Sequence, residues 1–320
     1  MLVIMKATVL KVQNTMTAHP TLETWLGWPR EQVAECVREA HLSIKIALDG
    51  TTRHYLLADA EAVGRPIDFE AYARHGARIT LQLLDRLFSC GLETVLVLNV
   101  WPADIVRRAE HLQKVVGYSR QFVLGTEAIE SYARWQVRAR LYGNFDISPV
   151  LAGVRPQLTA LDLELAKCTS GQRLLLWGYS GGNALDEIIM RSVQLSASLG
   201  RPPSENEVRR ACFPHGPETL DLYIGSGWLR IGNADLPPAL NGGRTDVYSL
   251  SVLPFDLSEH QLRTILYDRL FRRAVLAATD EAGYEDLSLA ALRSFYEQHK
   301  QTVLGIGQLV GPGFWYPAES

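Results

Sequence analysis

Asp49, Gly50, Thr51, Thr52 and Arg53 follow directly on an apolar run. A carboxylate, a glycine turn, two hydroxyls and a guanidinium in consecutive positions suit the binding of an anion such as phosphate. Turn N–H groups point at its oxygens, hydroxyls add donors, and the guanidinium brings charge with a matching fork of N–H bonds. Two more apolar runs end in glycine-rich turns, at Gly178-Tyr179-Ser180-Gly181-Gly182-Asn183 and at Gly225-Ser226-Gly227. For any one of them the plainer reading is a tight turn, since glycine and aspartate close turns whatever the function. Three such turns at the carboxyl ends of strands favour a site, because ligands of open parallel sheets bind there.

Stronger motifs are missing. No Walker-type GxxxxGK[ST] occurs, and "GYSGG" matches the GxSxG nucleophile elbow only in part, with nothing else of a hydrolase set beside it. The DDxxD metal cluster of helical terpene synthases is absent, and "PADIVRRAE" carries Asp104 alone. The DxDD of protonation-type cyclases is absent too, and "LDLEL" reads as a face of an amphipathic helix.

The elements that must position these turns alternate. Residues 43–49, 93–99, 173–179, 220–227 and 246–254 are strand-like, rich in Val, Ile, Leu and Tyr. Between them, helical spacing covers 69–91, 158–168, 184–198, 261–278 and 288–299, with a helix opened by Pro102 and running to Val116. Residues 128–139 read as a helix and 140–144 as strand then turn. Ser204 with Glu207, and Ser258 with Gln261, have the spacing of capping boxes. Strands alternating with helices predict an α/β fold with a largely parallel central sheet flanked by helices, in one domain over 1–320. The Pro/Gly/Asn-rich stretch 232–246 is the longest loop without a helical pattern, and such loops are often functional.

Composition sets outer bounds. The 320 residues are 47% hydrophobic and 21% charged, enough apolar material for a sizeable core. A net charge of −3 gives no electrostatic reason to expect nucleic acid. The four cysteines, Cys36, Cys90, Cys168 and Cys212, form no CxxC pair, which fits reduced thiols and a cytoplasmic setting. The start "MLVIMKATVLKV" is too short an apolar run for a signal segment, and no run is long enough to span a bilayer.

At Asp49 a resemblance enters. A strand ending in D-G-x-x-R resembles the first signature of the cis-prenyltransferase family, and "LETVLVLNVW", "DLYIGSGWLR" and "GGRTDVYSLSVLPFDLSEHQLRTILYDRLFRR" resemble its later segments in order. The family's Arg-Thr-Gly-Gly-Glu stretch is replaced by Gly225-Ser226-Gly227-Trp228-Leu229, so a phosphate-gripping arginine is missing where isopentenyl diphosphate would bind. Asp256 lies near, but is not aligned with, the family's metal-holding glutamate. The chain looks more like the branch of this family that has become diterpene synthases. That likeness rests on the segment 243–248, "RTILYD" at 263–268 and the tail "VLGIGQLVGPGFWYP". The branch's paired arginines are reduced to Thr52-Arg53, and its catalytic tyrosine corresponds to Tyr72.

The resemblance implies a function. The enzyme would ionise a preformed bicyclic C20 allylic diphosphate of kolavenyl or tuberculosinyl type and quench the cation with water to a tertiary alcohol. It implies an upstream diterpene cyclase as supplier, Mg²⁺ as cofactor and a homodimer. Asp49 and Tyr72 are the expected catalytic residues, with Asp49 either a Mg²⁺ ligand or the base for water. Gly50, Thr51, Thr52, Arg53, Trp101, Arg244 and Asp246 are the expected substrate-binding residues. Tyr72, Trp101, Trp228 and Trp315 are expected as aromatic walls for a cation. Three other readings stand beside this one: transfer of the same group to a nucleoside or other acceptor, chain elongation, and an inert partner subunit. Without the resemblance, Tyr72 reads as a core residue of an amphipathic helix, and the two arginines as surface ion pairs.

Overall fold

The computed structural model describes residues 19–58, 64, 66–100, 109–143, 145–179, 184–227, 237–241, 245–273, 289–311 and 314–317. Six strands form one sheet: β1 (Ser43–Ala47), β2 (Thr94–Val100), β3 (Val137–Tyr142), β4 (Arg173–Tyr179), β5 (Leu222–Ser226) and β6 (Asp246–Leu250). Their order is β3-β4-β2-β1-β5-β6 and every neighbouring pair is parallel. Parallel strands need covered faces, and these are covered on both. Ile44, Ile46, Val95, Val97, Leu175 and Trp177 belong to the main core, whereas Leu96, Leu174, Leu176 and Tyr142 join a second cluster with Cys212 and Phe213. Successive side chains of a strand point to opposite faces, which is why Leu96 leaves the cluster that holds Val95 and Val97.

The helices are α1 (Leu22–Leu26), α2 (Arg30–Glu39), α3 (Thr51–Ala58), α4 (Phe69–Ser89), α5 (Ala109–Leu124) and α6 (Thr126–Trp135). They continue with α7 (Arg155–Cys168), α8 (Ala184–Leu199), α9 (Glu205–Cys212), α10 (Glu259–Tyr267) and α11 (Leu289–His299). Asp68 caps α4 by accepting the N–H groups of Glu70 and Ala71, and buried Ile79, Leu83, Leu84 and Leu87 fix the face it turns to the sheet. Both expected capping boxes form, Ser204/Glu207 on α9 and Ser258/Gln261 on α10. The chain continues from α10 as a π-helical turn over Asp268–Arg273. A separate antiparallel pair joins β7 (Gly307–Gly311) to β8 (Phe314–Pro317) and carries Trp315 opposite Leu309.

Two local expectations need correction. The helix expected over 128–139 ends at Trp135, because Gln136 takes a left-handed conformation at φ 55° and starts β3. The buried/exposed alternation from Val137 to Ala139 marks the strand that helical periodicity had absorbed. Thr51, Thr52 and Arg53, expected as part of a polar turn, instead form the first turn of α3. Among the described residues no helix is long and apolar enough to cross a membrane.

Candidate active site at the carboxyl ends of the strands

The chain leaves β1 toward β2 on one side, whereas it leaves β5 toward β6 on the other. The crevice beyond the carboxyl ends of β1 and β5 is therefore the topological switch point, where open α/β sheets take their ligands. The first turn to project there is Leu48-Asp49-Gly50. Gly50 sits at φ +87°, which L-residues rarely adopt, and a Cβ built on it would lie 2.6 Å from Leu253 Cδ2 and 3.1 Å from an Arg53 nitrogen. Only glycine lets the chain turn here beneath the segment that follows β6. The reversal aims the N-terminus of α3 at the crevice. His54 is the residue whose N–H bonds back to the Gly50 carbonyl, at 2.8 Å, and the amides of Thr51 and Thr52 precede that ladder. A helix N-terminus with such amides favours an anion through both its donors and its dipole.

The expected residues of this turn are brought together. Arg53 donates to Asp49 Oδ2 at 3.2 Å, with the carboxylate 56% and the guanidinium 31% exposed. Thr52 Oγ1 donates to the Tyr72 hydroxyl at 3.4 Å. Tyr72 lies on α4, which approaches α3 at Gly76, where a Cβ would stand 3.2 Å from Thr51 Cγ2. An aromatic wall continues from it. Tyr55 meets Tyr72 edge to face at 5.7 Å, Phe69 meets Tyr72 at 6.5 Å, and Phe69 stacks on Tyr118 at 6.4 Å. Tyr55, Phe69 and Tyr118 were not singled out from the sequence. Only Phe69, three residues before Tyr72 on one helix face, carried a local signal.

A second polar group sits beside the first. His54 Nδ1 and His75 Nε2 are 2.9 Å apart, an Arg78 nitrogen is 3.3 Å from His75 Nδ1, and His54 Nε2 is 3.5 Å from Asp256 Oδ1. Burial, then the neighbouring His54 and the Arg78 charge, hold the His75 imidazole below the usual histidine pKa. Arg86 of α4 anchors the segment that bears Asp256, donating to the carbonyls of Phe255 at 2.7 Å and Leu257 at 3.2 Å.

Not every expected residue is here. Asp246 opens β6, at the amino end of the sheet, with the strand between it and the crevice. It accepts from Arg273 at 2.8 Å and faces Arg269 at 3.2 Å, in a cluster completed by Asp221 and Asp268. Tyr248 donates to Asp268 at 2.7 Å, and burial with that carboxylate pushes its phenol pKa up. Trp101, Arg244, Trp228 and the turn 180–183 lie outside the described residues. Gly225 and Ser226 end β5 at the crevice, and Gly227 follows at φ +71°.

No protein-family model matches the chain. Two known proteins align with nearly all of it. Tuberculosinyl adenosine transferase of Mycobacterium tuberculosis is 24% identical over 297 residues, spanning 91% of this chain and 96% of that protein. (+)-Kolavelool synthase of Herpetosiphon aurantiacus is 25% identical over 308 residues, spanning 94% and 97%. Among solved structures, a probable undecaprenyl diphosphate synthase from Campylobacter jejuni superposes with a TM-score of 0.51 at 14% identity, covering 72% of this chain and 96% of its own. Lavandulyl diphosphate synthase from Lavandula x intermedia, solved with dimethylallyl diphosphate, gives 0.54 at 13%, covering 72% and 95%. The chain has a cis-prenyltransferase-like fold and is similar along nearly its whole length to a tuberculosinyl adenosine transferase and a kolavelool synthase. The six-stranded parallel sheet flanked by helices is thus the cis-prenyltransferase sheet, as the resemblance at Asp49 implied.

Proposed function

We propose that this cis-prenyltransferase relative is a diterpene synthase acting on a preformed bicyclic C20 allylic diphosphate of kolavenyl or tuberculosinyl type. It breaks the C–O bond, releases diphosphate and gives the tertiary alcohol by addition of water. The observation that carries the reading is the apposition of Asp49, Arg53 and the α3 N-terminus to an aromatic wall led by Tyr72. Charge builds on the departing diphosphate where amides and the Arg53 guanidinium stand, preorganised to receive it. Positive charge builds on the hydrocarbon beside the faces of Tyr55, Phe69, Tyr72 and Tyr118, which stabilise a cation without trapping it. Asp49 is the base that takes the proton of the adding water, with the Tyr72 hydroxyl fixing that water.

Holding a divalent ion is the alternative role for Asp49, in place of taking the proton of water. Among the described residues no group of three or more His, Cys, Asp or Glu side chains could cage a metal. Mg²⁺ usually binds through one or two carboxylates and substrate phosphates, and Asp49, half exposed beside the amides of α3, meets that requirement. When bound, the ion would neutralise charge on the leaving diphosphate.

The similarity to an enzyme named as an adenosine transferase favours a second reading, capture of the same cation by a nucleoside. One experiment separates the readings. The protein is incubated with kolavenyl, tuberculosinyl, copalyl and geranylgeranyl diphosphates, with and without adenosine or isopentenyl diphosphate, and products are identified by gas and liquid chromatography with mass spectrometry. A diterpene alcohol from a bicyclic substrate is expected. A nucleoside adduct replaces the first reading with the second, and elongation with isopentenyl diphosphate overturns both.

A further inference from the structure

His54 and His75 are not needed for the chemistry above, yet they sit between the α3 turn and the segment after β6. Their donors and acceptors can be assigned by elimination. A guanidinium only donates, so the Arg78 nitrogen 3.3 Å from His75 Nδ1 makes that atom an acceptor. A neutral His75 then carries its proton on Nε2 and gives it to His54 Nδ1, 2.9 Å away. His54 in turn carries its proton on Nε2, 3.5 Å from the Asp256 carboxylate. The reverse assignment would put a proton on His75 Nδ1 facing a guanidinium and leave the His54 side of Asp256 without a donor. The groups packed around the pair are Arg78 on α4, Tyr55 on α3, and Phe255 with Asp256 after β6. Phe255 and Tyr55 close on the rings edge to face, at 5.7 Å from His54 and 5.5 Å from His75.

We infer that Arg78, His75 and His54 form a one-way relay that locks His54 as a neutral Nε2–H donor and so positions Asp256 at the rim of the candidate active site. This rests on the proposed function for the meaning of the rim, but not for the relay itself. Two consequences follow. Neither imidazole has a nitrogen available to act as general base, which leaves the proton of the adding water to Asp49. The relay also ties the first turn of α3 to the segment that covers Gly50, so the groups meant for diphosphate are held by two elements instead of one. His54 and His75 are positioning residues, acting through Asp256 and the α3 turn.

The test has two arms on the full-length protein. In the first, the histidines are labelled with ¹⁵N and their tautomers read by long-range ¹H–¹⁵N correlation at pH 7.5, with His54→Asn and His75→Gln used for assignment. Both imidazoles are expected neutral with the proton on Nε2. An imidazolium at either position, or a His54 proton on Nδ1, overturns the inference without any substrate being present. In the second, His75→Leu is expected to lower kcat/KM for the accepted diphosphate about tenfold. His75→Gln, whose side-chain N–H replaces Nε2–H, is expected to restore it. Thermal unfolding checks that both variants fold. Equal loss in the two folded variants, or no loss in His75→Leu, overturns the positioning role. If the wild-type protein turns over no diphosphate, the proposed function fails alone and the tautomer arm still decides the relay.

Discussion

Arg53 reaches back one helical turn to Asp49, 3.2 Å away, with the glycine at φ +87° between them. The pair joins the end of β1 to the start of α3 and places opposite charges where an anion would arrive. A half-exposed pair of this kind contributes about 1 kcal/mol or less to stability, so its removal tests function more than folding. Arg53→Ala is expected to lower kcat/KM for the diphosphate by on the order of 10²–10³, the usual effect of deleting one donor to developing negative charge. Arg53→Lys should not restore it, because a point charge lacks the planar fork. Asp49→Asn should cut turnover as severely with little change in melting temperature. Steady-state kinetics beside thermal unfolding measures both, and wild-type rates in either variant remove that residue from the mechanism.

The Tyr72 hydroxyl receives the Thr52 hydroxyl, while the Tyr72 ring is held edge to face by Tyr55. Ring and hydroxyl can therefore be tested apart. Tyr72→Phe keeps the wall and loses the group proposed to fix water. Alcohol formation should fall by about 10², in the range of a lost acid–base or orienting group. An increased share of olefin among the products is expected, since the cation then loses a proton instead of adding water. Unchanged product yield and composition would reduce Tyr72 to wall material.

Gly50 is where sequence and structure agree most closely. Asp-Gly after an apolar strand predicts a tight turn, and the turn is there, with glycine required because φ is +87° and a Cβ would collide with Leu253. The parallel sheet was equally legible, from apolar runs ended by glycine turns. What could not be read was anything that depends on two distant segments meeting. Asp256 is about two hundred residues from His54 and joins it only because β6 lies beside β5, so no local pattern announces the contact. Asp246 shows the converse. Motif likeness places it with the phosphate groups, yet it begins β6 and so lies at the amino end of the sheet. The α3 helix is not legible in the sequence because TTRHYLLA is short and opens on two β-branched threonines, which weaken both periodicity and propensity.

Gly50→Ala follows from the same geometry. The substituted residue must adopt φ near +87° and displace Leu253, so stability should fall by about 1–3 kcal/mol. Because the α3 N-terminus hangs on this turn, kcat/KM should fall further than the loss of folded protein explains. Denaturant unfolding with activity corrected for the folded fraction separates the two effects. A variant of wild-type stability would show that the turn relaxes freely.

Asp246 gives the opposite pattern. Its carboxylate is 17% exposed and lies between Arg273 at 2.8 Å and Arg269 at 3.2 Å. Asp246→Ala leaves two partly buried guanidinium groups short of a counter-charge, at a cost of about 2 kcal/mol after allowing for their contact with solvent. Its distance from the crevice predicts an unchanged KM for the diphosphate at temperatures where the variant is folded. A KM that rises strongly while the melting temperature holds would return Asp246 to the substrate.

The thiols offer a check on the packing of the sheet that needs no substrate. Burial pushes Cys90 and Cys212 up to about 11, whereas Cys168 is exposed at the end of α7. The thiolate is the reactive form, so at pH 8 the two buried residues carry almost none of it. A thiol reagent should modify Cys168 quickly in the native protein and reach Cys90 and Cys212 only at the rate of opening or unfolding. Raising the pH to 9 should leave that order intact, because both thiols stay protonated until well above it. Mass spectrometry of peptides from a timed reaction reads the order. Early labelling of Cys90 would mean that the contact between the end of α4 and the start of β2 opens readily, and Cys212 reports in the same way on the second core face.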